Sequence, residues 1–113
     1  MHTSGFRLHA RAIVLTALLA AGFSSSGHAL APPSRLGLCA SCHGRHGKAT
    51  TPTVPNLAGQ NLDYLRSAIE QYRSGKRDVA AMRAALGMLS AADVDRVLVW
   101  YSDQPPAGGR SRT

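Results

Sequence analysis

The sequence predicts an all-α fold, a single small helical domain, and three observations lead there. Residues 61–74 carry apolar side chains at helical spacing, and so does a segment opening at Ser90. No apolar/polar alternation that would mark a strand lies near residues 39–43. Those residues, Cys39-Ala40-Ser41-Cys42-His43, spell C-x-x-C-H, the pattern of covalent haem attachment. The expected architecture is therefore a helical domain wrapped around one covalently attached haem.

The spacing suits that chemistry. Two thiols three positions apart on one helical turn can each add to a vinyl group of the same porphyrin. His43 then lies beneath the iron, where histidine commonly serves as proximal ligand. Other uses of the five residues are a disulfide, half of a zinc site or a thioredoxin-like dithiol. A structural zinc site needs four ligands, and no second cysteine pair or H-x-x-x-H follows. A thioredoxin-like pair sits in a βαβ setting, whereas the segments downstream read as helices.

Taken in order, the chain opens with a segment outside the fold. Arg7 and Arg11 precede an apolar run from Ala12 to Phe23, followed by Ser24, Ser25, Ser26 and Gly27, the layout of a secretory signal. Cleavage is expected after Ala29, with Ala31 as the alternative; Pro32 directly after Ala31 disfavours the second. A run of about twelve apolar residues falls short of the roughly twenty needed to span a membrane. Export of residues 30–113 is expected, with no transmembrane anchor after cleavage.

The remaining 84 residues form one small domain, 30–104, with a tail at 105–113. A domain of that size buries only about 60 % of its unfolded surface and needs a staple. A covalent haem is one. Both cysteines are consumed by it, so no disulfide is expected. Without residues 1–29 the charge falls from +7 to +5, with 11 Lys and Arg against 6 Asp and Glu. The excess favours acidic partners or anionic surfaces. Nucleic acid is not indicated, because the basic residues are scattered and lack aromatic interleaving.

Pro32 and Pro33 mark the entry to a short helix that Ser34 can cap, running through Leu36 and Leu38 into the C-x-x-C-H. Gly44, Gly47, Pro52, Pro55 and Gly59 then punctuate residues 44–60, which read as a loop. A loop that long is unusual unless a cofactor gives it something to lie against. Asn61 caps the next helix, which buries Leu62, Leu65, Ile69 and Tyr72 and stops at Gly75. Asp63, Arg66, Glu70 and Arg73 read as its solvated faces, pairing three or four positions apart. Ser90 opens the last helix with Asp93 three residues on, a variant capping box, and Val94, Val97, Leu98 and Tyr101 form its stripe. Pro105 and Pro106 lie beyond its end, and Ala107–Thr113 reads as flexible tail.

In this order and spacing, CASCHG at 39–44, PNLAGQ at 55–60, the Tyr64-Leu65 pair, the turn at Gly75 and Arg77, and a methionine seven residues before LSAADV resemble the class I c-type cytochromes. The likeness is to the small monohaem bacterial carriers and runs from Arg35 to Tyr101. The resemblance implies a haem c bound through Cys39 and Cys42 and a second axial ligand, opposite His43, from a methionine in the loop before the last helix. Met82, preceded by the Asp78–Ala81 loop, has the family's placement; Met88, directly before the last helix, competes with it. The resemblance also makes Pro55 the carbonyl acceptor for the proximal histidine, and Leu57, Tyr64 and Leu65 pocket walls. Arg77 takes a basic position near the haem propionates or faces solvent. Trp100 would pack across the first helix where a small residue, Gly37, allows close approach. His46 reads as an exposed loop histidine rather than a competing ligand.

The function so implied is a periplasmic electron carrier with His43/Met82 ligation and no catalytic residues. Its partners would be redox proteins with acidic docking surfaces, facing a basic rim of Arg45, Lys48, Arg77 and Arg83. Two alternatives use the same motifs: a haem subunit of a larger oxidoreductase complex, and a peroxidase-like or gas-sensing protein whose methionine leaves the iron.

Overall fold

A computed structural model describes Gly22, Gly27 and residues 29–108. The signal segment read at 1–29 lies almost wholly outside the described residues, as does the tail beyond Gly108. Four helices follow one another: α1 (Leu36–His43), α2 (Leu62–Arg73), α3 (Ala80–Gly87) and α4 (Ala91–Asp103). No strand occurs among the described residues.

The first helix starts differently from expectation. Ser34 does not cap it; Arg35 holds the N-cap position without a side-chain bond, and the Leu36 amide donates to the Pro33 carbonyl at 3.0 Å. The proline carbonyl thus satisfies a donor that a serine hydroxyl would otherwise take. At the other end Gly44 turns the chain away with φ +79°, its amide donating back to the Ala40 carbonyl.

The caps of α2 and α4 follow the sequence. Asn61 Oδ1 accepts from the Tyr64 amide at 3.0 Å, and Ser90 Oγ accepts from the Asp93 amide at 3.1 Å. Asp63 and Asp93 sit in the first turns, where a carboxylate complements the helix dipole. The expected i, i+3 pairs form in α2: Arg66 with Asp63 at 3.6 Å and Arg73 with Glu70 at 2.9 Å.

The third helix corrects the sequence reading. Ala80 and Ala81 belong to α3 rather than to a loop, and Met82 lies in its first turn. Val79 supplies no side-chain cap. The segment Ala-Ala-Met-Arg-Ala-Ala-Leu-Gly owes its helix instead to alanine-rich propensity and to packing of Met82 and Leu86 on the core.

Two apolar clusters make that core. Leu36, Val97, Trp100 and Tyr101 join the first and last helices, while Leu65, Ile69, Val94 and Leu98 form the seam of α2 with α4. Leu57, from the long loop, touches both. Trp100 does cross to the first helix, but Leu36 receives it. Gly37 is exposed, and a Cβ there would meet nothing within 4 Å. The close approach expected at Gly37 is therefore absent: the helix is short and presents its leucine to α4.

The loop at 44–60 is pinned rather than loose. Gly47 O accepts from the amides of Leu57 and Ala58 at 2.8 and 3.1 Å, and Asn56 Oδ1 accepts from the Ala49 amide at 2.8 Å. The Gly59 amide donates to the Tyr101 carbonyl at 2.9 Å. Beyond α4, Pro106 comes to rest against Gly59.

Candidate functional site

The helices and the pinned loop enclose one cavity of about 400 Å³. Cys39, Cys42, His43, Pro55, Leu57, Tyr64, Leu65, Arg77 and Met82 all border it. The nine site residues expected from sequence are thus brought together, from α1, the loop, α2, the turn after it and α3. Met88 is not in the wall: it is 63 % exposed beyond α3, and its carbonyl accepts from Arg35. His46 is also outside the wall, with its Nδ1 on Gln104 Oε1 at 2.9 Å.

His43 is the one buried polar residue among those described. Its Nδ1 lies 3.0 Å from the Pro55 carbonyl oxygen. A carbonyl only accepts, so Nδ1 carries the hydrogen and Nε2 keeps its lone pair. A ring oriented in this way is prepared to bind a metal through Nε2, and the carbonyl raises its basicity.

The thiols differ in setting. Cys39 is half-buried against Leu36, Val97, Trp100 and Tyr101, and that burial pushes its pKa up. Cys42 is exposed. Burial, with Cys39 as a lesser cause, also pushes the Tyr101 hydroxyl well above the usual tyrosine range. It therefore remains a hydrogen-bond donor, bonded to the Gly44 carbonyl at 2.9 Å.

Arg77 is held at the cavity's edge. Its Nε donates to Gln71 Oε1 at 2.8 Å, and its guanidinium lies 5.9 and 5.7 Å from the ring centres of Tyr64 and Tyr72. Both distances suit cation–π contact. Tyr64 is half exposed, whereas Leu65 faces the core.

Part of the wall, including Ala68 of α2 and Ala85 and Leu86 of α3, was not singled out in the sequence. Ala81, Met82, Ala85 and Leu86 form one stripe of α3, and Leu65, Ala68, Ile69 and Tyr72 one stripe of α2. The α2 stripe is legible as helical periodicity. The α3 stripe is not, because alanine reads equally well as surface. The donor set suits haem c: a flat apolar ring matches walls of Leu, Ile, Val and Ala, two thiols stand on one turn, and an imidazole, a thioether and a guanidinium border the same space. No buried side-chain polar atom among the described residues lacks a partner, so the wall leaves no stranded polar group facing a porphyrin.

Comparison with known proteins agrees with this chemistry. Cytochrome c-554(548) of Halomonas halodenitrificans is 38 % identical over 82 residues, covering 70 % of this chain and 99 % of the relative. Cytochrome c4 of Pseudomonas aeruginosa is 31 % identical over 97 residues, and a thiosulfate dehydrogenase electron acceptor of Thiomonas intermedia is 33 % identical over 101. The chain spans about half the length of these two, 48 % and 46 %. A family model, Cytochrome c, matches residues 36–104, from the first residue of α1 through the whole of α4. With that span matched, the chain belongs to the cytochrome c family: it is a class I c-type cytochrome, an electron-transfer protein whose one haem c is bound covalently through Cys39 and Cys42.

Proposed function

We propose that this cytochrome is a periplasmic electron carrier whose iron is ligated by His43 Nε2 and Met82 Sδ, and whose partners dock through acidic surfaces. One observation carries the reading: His43, already oriented by Pro55, and Met82 border the same cavity from different helices, while Met88 stands outside it. Bound there, haem c supplies a one-electron ferric/ferrous couple, and a thioether opposite histidine raises its potential.

The chain's own residues do the rest. His43 and Met82 would hold the iron from opposite walls of the cavity, which would leave no position for a substrate and favours a carrier over a peroxidase-like or gas-sensing protein. Leu57, Leu65, Ile69 and Leu98, which line the cavity, would keep water from the ring, and Arg77 at its edge would be available to a propionate. The basic rim is narrower than its four residues suggest. Arg83 pairs with Asp78, and Arg77 is turned onto Gln71 and two tyrosines. Arg45, Lys48 and Arg83 are exposed, but of these only Arg45 and Lys48 make no ion pair among the described residues.

Export rests on the arrangement of Arg7, Arg11 and the apolar run 12–23. No helix among the described residues is long and apolar enough to cross a membrane. That one relative is named as a dehydrogenase's electron acceptor supports an oxidoreductase as donor.

Steering by Arg45 and Lys48 acts on association rate and is screened by salt. The second-order rate of reduction by an acidic redox partner should fall as ionic strength rises from ~10 to ~150 mM, the range over which the screening length drops from about 30 to 8 Å. Stopped-flow reduction checks this. A salt-independent rate for the unaltered protein would remove steering from the account.

A further inference from the structure

We propose that Tyr101 and Trp100 are positioning residues for His43, fixing through the two peptides that follow it the seat from which the imidazole reaches iron. The inference rests on His43 being the proximal ligand.

Three consecutive residues after His43 are each caught by the end of α4. Tyr101 Oη donates to the Gly44 carbonyl at 2.9 Å, Trp100 Nε1 donates to the Arg45 carbonyl at 2.8 Å, and Gln104 Oε1 accepts from His46 Nδ1 at 2.9 Å. Gln104 is itself tied back, its Nε2 donating to the Trp100 carbonyl at 3.0 Å. A turn of this length usually satisfies its carbonyls with water. Here its first two carbonyls accept from side chains more than fifty residues away in sequence, the Gly44 carbonyl also taking the Gly47 amide at 3.2 Å.

Tyr101 also anchors the other half of the His43–Pro55 hydrogen bond. Its carbonyl accepts from the Gly59 amide, closing the loop that carries Pro55, and Gly47 packs on its ring while binding Leu57 and Ala58. The donor side of the bond is thus referenced to the Tyr101 hydroxyl and the acceptor side to the Tyr101 carbonyl. Both sides of the bond are tied to one residue.

Packing alone does not account for the hydroxyl. Tyr101 is 0 % exposed, and a phenylalanine would fill the same space without the cost of burying a polar group. The hydroxyl is compensated only by the Gly44 carbonyl, so its contribution is geometric.

The test uses the holoprotein. Tyr101→Phe keeps the ring and removes only the hydroxyl; Trp100→Phe removes the other donor. Leu36→Ala weakens the same cluster from outside the cavity wall and leaves every hydrogen bond to residues 44–46 in place, so it serves as the control for packing and stability alone. The readouts are exchange of the His43 Nδ1 hydrogen by NMR and the reduction potential. In Tyr101→Phe, exchange should quicken about fivefold, the factor that corresponds to one hydrogen bond's net contribution. The potential should shift with it, and Trp100→Phe should act in the same direction. Leu36→Ala should lower the unfolding midpoint and leave both readouts at the wild-type values. Wild-type exchange and potential in Tyr101→Phe would overturn the proposal, as would an equal change in Leu36→Ala. If His43 ring signals of the unaltered ferric protein lie at ordinary positions, the ligand assignment itself fails, which is a separate result.

Discussion

Gly47 shows how much a single residue decides here. It has φ +77°, and a Cβ built on it would stand 2.5 Å from the Ala58 nitrogen and 3.0 Å from the Tyr101 ring. Gly75 has nearly the same φ, +78°, but open space around it. The pair separates two costs: the left-handed backbone alone, about 1–2 kcal/mol, and that cost plus a collision with backbone that cannot yield. Gly75→Ala should therefore lower holoprotein stability by about 1 kcal/mol, and Gly47→Ala by ~3 kcal/mol or more. Chemical denaturation followed by far-UV circular dichroism checks both, and equal losses would refute the collision argument. At this scale the sequence was informative where a residue's chemistry is specific. Cys39, Cys42 and His43 could be placed because thiol and imidazole have defined partners, whereas Pro55 was placed only by the family resemblance. Gly37 misled because a glycine's lack of a side chain says nothing about which neighbour approaches it, and Leu36 fills that role.

Among the elements, α2 and α4 were legible because each has a polar side-chain cap and an apolar stripe. The third helix was not. It lacks a capping side chain, has no buried residue, and is half alanine, so neither periodicity nor a start signal marks it. It becomes a helix because Met82, Leu86 and two alanines of one stripe find the cavity and the α2–α4 seam. The N-terminal turns of α4 also predict acid behaviour. The Ser90 hydroxyl, and secondarily Arg96, hold Asp93 below the usual carboxylate range, and the Arg66 guanidinium does the same to Asp95 across the α2–α4 seam at 2.7 Å. A carboxylate with a lowered native pKa stabilises the fold above its unfolded value, about 3.9, and loses that contribution as pH falls through the native value. These are surface pairs, so the contribution is small. The unfolding midpoint of an Asp93→Asn/Asp95→Asn protein should fall less steeply than wild type between about pH 4 and pH 2; parallel curves would show that the pairs contribute nothing to the acid limb.

Seen as a whole, the molecule is a thin shell around its cofactor. Ten apolar residues are buried among those described, and most of them border the cavity. Too little apolar surface is buried elsewhere to offset the ordering of so short a chain, as its length alone suggested. A Cys39→Ala/Cys42→Ala protein purified without haem should show little helix and no cooperative thermal transition by circular dichroism, whereas the holoprotein should melt cooperatively. A cooperative apoprotein would mean the core stands without its cofactor. The overall plan was readable from sequence because haem attachment constrains the whole chain: a motif, a loop to lie on the ring and helices to cover it. The clamp of α4 on residues 44–46 was not, since nothing local marks two carbonyls as targets for side chains fifty-five and fifty-seven residues away. The central claim is His43/Met82 ligation in an electron carrier, and the ferric absorption spectrum of the holoprotein tests it most directly. The account predicts a low-spin spectrum with a methionine-to-iron charge-transfer band that Met82→Ala abolishes and Met88→Ala leaves intact. A high-spin spectrum in the unaltered protein, or a band that survives Met82→Ala, would contradict it.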